Sequence, residues 1–225
     1  MIKEVIINES EVEKFVEKII NSAKTQPVNV ENALYHHNTK YEYAPFNIRN
    51  GLMSVMMLQK YGRVNYTEEQ LSAFENDCYN VNGIYCISLS KVGLDDKYRE
   101  DEDEYDPLTG MYPDFLISSE VFARRKYKNY FNEFVADDII LPEHFKAIDT
   151  RLIRICNDEE KRFRFNSREE KLRILKENYN QLSEIAKAMK ETGLNIPLRE
   201  MSYEDNMALD IDKVSKFPKI SLIKK

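Results

Sequence analysis

The chain has 225 residues, 42% of them hydrophobic and 32% charged, and a net charge of −6. That length supports one sizeable core, that composition excludes global disorder, and the acidic balance speaks against a nucleic-acid binder. No apolar run is long enough to span a bilayer, and "MIKEVIINESEVEKF" mixes acids into the place where a signal peptide needs an apolar stretch, so a cytoplasmic protein with no membrane partner is expected.

The first element predicted is a helix over 8–24, because Val12, Phe15, Val16, Ile19 and Ile20 recur at helical spacing and Ser10 with Glu13 can form a capping box. A strand follows at 32–36, a short helix at 67–76 and a second strand at 82–90, each bounded by turn residues. The stretch 95–106, "DDKYREDEDEYD", is as negative as the whole chain; it lacks the glycine a calcium loop needs at its turn and reads as a solvated loop. Strands at 114–118 and 132–141 come next, then a short helix at 143–148. Residues 167–192 carry a capping box at Ser167 and Glu170, the apolar series Leu172, Leu175, Tyr179, Leu182, Ile185, Ala186 and Met189, and Gly193 as a stop. Their rhythm predicts a helix packed on a helical partner drawn from 150–166.

The expected fold class is therefore α+β: a mixed-sheet domain over 1–149 with an N-terminal helix, and over 150–225 a helical hairpin and basic tail packed on it. Cys78, Cys86 and Cys156 stand too far apart for a disulfide framework or a zinc knuckle, and His36, His37 and His144 match no metal motif, so no metal is expected. Six glycines leave no phosphate-cradling loop of the dinucleotide or P-loop type.

Three places carry chemistry in a telling order. Leu34-Tyr35-His36 ends a predicted strand and is followed by Thr39 and Gly51-Leu52; "GIYCISLS" carries Tyr85, Ser88 and Ser90; and Glu133 opens a strand that runs into Ile139–Pro142. This series, over about 32–148, resembles the ADP-ribosyltransferases, which split NAD and transfer ADP-ribose. Two places depart from that pattern: His37 and Asn38 intervene before Thr39, and Phe131 stands where protein-modifying toxins have Gln or Glu.

The resemblance implies an ADP-ribosyltransferase-like sheet with NAD as substrate. Glu133 would be the catalytic carboxylate, facing the oxocarbenium-like charge that develops on the ribose, where it stabilises the transition state more than the ground state. His36, with Thr39, would bind the adenosine side, His36 donating a hydrogen bond to that ribose. Ser88 or Ser90 would orient the nicotinamide ribose and amide, Tyr85 or Tyr43 would stack on the nicotinamide ring, and the loop 126–132 would face a macromolecular acceptor, protein rather than nucleic acid. The competing reading is a non-catalytic docking module of the same fold that binds a protein through the C-terminal helices. A third, nucleic-acid binding through basic clusters such as Arg124–Lys126, meets the opposing net charge.

Overall fold

The computed structural model describes residues 4–76, 83–92, 111–125, 133–157, 165–202 and 206–223. Its strands are β1 (Glu4–Ile7), β2 (Lys24–Pro27), β3 (Ala33–Asn38), β4 (Leu52–Met53), β5 (Cys86–Lys91), β6 (Asp114–Ser118), β7 (Arg124–Arg125), β8 (Glu133–Asp137), β9 (Ile139–Ile140), β10 (Phe145–Asp149), β11 (Leu198–Met201), β12 (Asn206–Leu209) and β13 (Lys219–Leu222). The helices are α1 (Val12–Ala23), α2 (Ala44–Asn50), α3 (Val55–Lys60), α4 (Glu68–Asn76), α5 (Leu152–Cys156), α6 (Arg168–Thr192) and α7 (Ile211–Val214). The fold is α+β, as composition and pattern implied.

Among the described residues the main sheet runs β2-β12-β11-β10-β6-β3-β5-β8-β7, antiparallel except where β10 and β11 lie parallel. Central β6 is buried along its whole length, which is why "DFLIS" shows no polar alternation. On one face Ile87, Leu89, Phe115, Ile117 and Ile148 join the stripes of the helices in a single core. Helix α1 contributes Val12, Val16 and Ile20, one turn apart and wholly buried. Helix α6 is capped as expected: the Ser167 hydroxyl accepts from the Glu170 amide at 3.1 Å, and Gly193 ends the helix at φ 65°.

Leu175, Leu182 and Met189 are buried along one stripe of α6. Leu182→Ala should therefore lower unfolding stability by about 2–5 kcal/mol, the usual cost of emptying a core leucine site. An unfolding free energy, from denaturant titration, that changes by less than about 1 kcal/mol would place the stripe outside the core.

Several expectations need correction. The capping box lies two residues earlier, with the Glu11 carboxylate accepting from the Asn8 amide at 3.1 Å; Glu13 instead pairs with Lys171 at 2.7 Å, tying α1 to α6. Residues 143–148 are not a helix: Pro142–His144 make one 3-10 turn, and Phe145–Asp149 then form β10 between β6 and β11. The helical partner expected from 150–166 is described over Leu152–Cys156, and this α5 packs on α6, which also packs on α1 and α2; residues 158–164 lie outside the described residues. The boundary after 149 cuts between hydrogen-bonded neighbours, since β11 and β12 from the C-terminal segment extend the same sheet. Those strands escaped notice because Arg199 and Glu200 resemble surface residues. The acidic stretch 95–106 and the loop 126–132 lie outside the described residues.

Candidate functional site

The three motif segments come together through strand pairing. β3, β5 and β8 are adjacent; His36 is registered opposite Ser90, and Ser90 opposite Glu133, so the three positions form one row across the sheet. Ile87 and Leu89 point into the core, so Ser88 and Ser90 alternate onto the other face, which Ser90 shares with its direct partner His36. Ser88 is exposed, two residues along β5, and its carbonyl accepts from His37 Nδ1 at 2.7 Å. Burial lowers the pKa of His37 against the pull of that hydrogen bond, which favours the neutral ring.

The remaining expected residues sit around this row, not in it. Thr39 lies just beyond β3, and its hydroxyl accepts from Asn47 of α2 at 3.3 Å. Tyr85 belongs to a 3-10 turn before β5 and is 47% exposed; its carbonyl accepts from the Asp138 amide at 3.1 Å. Tyr43 is half exposed at the start of α2. Gly51 has φ 88°, and a Cβ there would stand 2.3 Å from the Ile140 carbonyl oxygen, so only glycine lets β4 lie against β9.

Next to the row is a buried ionic group that motif reading did not reveal. Asp114 of β6 accepts from His36 Nδ1 at 3.0 Å and from the Arg151 guanidinium at 2.6 Å. Burial alone would raise the Asp114 pKa, but Arg151 and His36 beside it hold its carboxyl below the ordinary range. One strand over, Asp149 takes two hydrogen bonds from Arg199, at 2.6 and 2.8 Å. The only trace of these residues in the sequence is a charge at each end of an apolar strand: Asp114 before "FLIS", and Asp149 with Arg151 after "FKAI".

Arg151 reaches Asp114 from a left-handed backbone, φ 55°, at the turn from β10 into α5. That turn is fixed from below by Glu200, which accepts from the Leu152 and Ile153 amides at 3.1 and 2.8 Å and from the Thr150 hydroxyl. The Tyr41 hydroxyl donates to the Thr150 carbonyl. Burial pushes the Glu200 carboxyl up from 4.5 to about 7, against the lowering effect of its hydrogen bonds. The folded chain therefore holds an extra proton between those values, and this group's contribution to stability falls as pH rises from about 4.5 to about 7. Glu200→Gln should flatten that part of the stability curve; an unchanged slope in urea unfolding between pH 5 and 7 would assign it to other groups.

Clefts of about 870 and 720 Å³ lie elsewhere, the first beside Gln26, Met189 and Asp210, the second beside Lys40, Tyr112 and Arg173. Among the described residues no cluster of His, Cys, Asp or Glu is arranged to hold a metal ion, and no helix is long and apolar enough to cross a membrane. No protein-family model, curated protein or solved structure matches the chain.

Proposed function

We propose that this protein is an NAD-dependent ADP-ribosyltransferase with an ADP-ribosyltransferase-like sheet, acting on a macromolecular acceptor, protein rather than nucleic acid. One observation carries the reading. His36, Ser90 and Glu133, the residues on which the resemblance rests, are distant in sequence, yet they occupy one register row on three adjacent strands.

In this reading the bond between ribose C1′ and the nicotinamide nitrogen breaks. Its electron pair stays on nicotinamide and neutralises the pyridinium, while positive charge builds on the ribose. Glu133 stabilises that charge, and a preorganised carboxylate is worth most at the moment the charge develops. The acceptor's nucleophilic atom then bonds to C1′ and releases its proton. Ser90, with Ser88 along the same strand, orients the nicotinamide ribose, and His36 holds the adenosine side. Thr39 and Tyr85 both lie to one side of the row, beyond the C-terminal end of β3 and the N-terminal end of β5, with Tyr43 at the start of α2.

The test is direct. Purified protein incubated with NAD should release nicotinamide, and NAD should raise the unfolding temperature by mass action. A protein that neither cleaves NAD nor is protected by it would overturn the assignment and leave the docking module. Where cleavage occurs, mass spectrometry of a treated lysate identifies the acceptor by its added ADP-ribose.

A further inference from the structure

We propose that Glu200 is a pH-operated latch: while its carboxyl carries a proton, the turn from β10 into α5, residues 150–153, stays shut, and when that proton leaves, the turn opens locally. The latch is independent of the transferase reading.

One side chain faces one turn. Glu200 lies on β11, wholly buried, and its carboxyl takes its hydrogen bonds from that turn alone: from the Leu152 amide at 3.1 Å, the Ile153 amide at 2.8 Å and the Thr150 hydroxyl. Between those contacts the backbone is strained. Arg151 takes φ 55°, a left-handed conformation that costs energy for a residue with a Cβ and persists only where the surroundings enforce it. The Thr150 amide stays tied to the Arg199 carbonyl at 2.8 Å, so loss of the Glu200 contacts frees the residues after it and leaves the sheet paired.

The surroundings of the carboxyl decide which state is shut. All its donors are neutral, and among the described residues Lys24, at the start of β2, pulls on it electrostatically without touching it. Tyr41 before α2 and Cys156 of α5 face it; burial, and then the Glu200 charge, pushes both up, so both stay neutral. Asp149, next to Thr150, is matched by Arg199, Arg151 sends its guanidinium to Asp114, and Glu13 of α1, beyond Cys156, is matched by Lys171. An ionised Glu200 is thus a full charge in the interior held by neutral donors, and burial outweighs them, raising the carboxyl to about 7. Opening the turn admits water and returns the carboxyl to its ordinary value of 4.5, so in between each opening releases a proton. Opening therefore grows easier as pH rises from about 4.5 to about 7, and levels off above that.

Amide hydrogen exchange of the full chain reads the latch. Between pH 5 and 7 the protection factors of Leu152 and Ile153 should fall about 10–50-fold. These two amides should be insensitive to low concentrations of urea, since a local opening exposes little surface, whereas the Leu175 and Leu182 amides of α6 should exchange by global unfolding and respond to urea. Turn amides that share the urea dependence of α6, or whose protection is constant or rises over this pH range, would overturn the proposal. In Glu200→Gln the pH dependence of the turn should vanish; its persistence would assign the opening to another group and equally overturn the latch. If that variant fails to fold, the Glu200 carboxyl carbon, followed by ¹³C NMR in the parent, decides: a midpoint near 7 upholds the latch, and one in the ordinary carboxylate range overturns it.

Discussion

Glu133→Gln should lower NAD turnover by about 10²–10³-fold, roughly 3–4 kcal/mol of barrier, while NAD binding survives. Gln keeps the shape and one acceptor oxygen of Glu but loses the charge. If the carboxylate faces a cation that exists only near the transition state, the loss must appear in kcat and leave KM almost unchanged. His36→Ala should behave in the opposite way, raising KM first, because the contact proposed for it is to the half of NAD that does not react. The pair of variants, measured by nicotinamide release over a range of NAD concentrations, separates the two ends of the row. Equal turnover in Glu133→Gln and the parent would make Glu133 an ordinary charge at the start of a strand.

The largest stability effect is expected from breaking the Asp149–Arg199 pair. Its two hydrogen bonds lie at 2.6 and 2.8 Å in a site where both side chains are almost fully buried. Arg199→Met leaves Asp149 as an unmatched buried charge and should cost about 3–5 kcal/mol. For a chain of this size that lowers the unfolding temperature by about 6–20 °C. Adding Asp149→Leu should recover most of the loss, since two apolar groups of similar volume replace a buried ion pair at little net cost. If the double variant is as unstable as Arg199→Met alone, the pair does more than neutralise itself, and β10 and β11 depend on its geometry. Differential scanning calorimetry of the three proteins settles the choice.

How much of this was legible in the sequence depended on how local each signal was. Helix α6 could be read because its cap, stripe and stop lie within one segment, and β6 because its apolar run ends at a turn. The segment 143–148 misled because Pro142 followed by Glu143 and His144 looks like a helix start, whereas the strand after it is stabilised by neighbours far along the chain. The candidate site divided in the same way. His36, Ser90 and Glu133 could be picked out one by one, but not their alignment, which depends on nonlocal pairing. Asp114, Asp149, Arg151 and Arg199 were passed over because a lone charge in a sequence reads as solvent-facing. Their partners lie 37 to 78 residues away.

The pairing of β1 with β13 has a consequence for the nascent chain. Glu4 on the first of these strands meets Ser221 on the other, 217 residues later, and Thr25 of β2 meets Ala208 of β12, 183 residues later. At about 5–20 residues per second, a ribosome needs roughly ten to forty seconds to synthesise that stretch. Throughout that interval β1 and β2 have emerged without their partner strands, and for most of it the greasy stripe of α1 lacks helix α6, which ends at Thr192. Neither the β1–β13 pair nor the β2 edge of the main sheet can close until the last strands are made, and chaperone dependence should concentrate in the segment from β1 to β2.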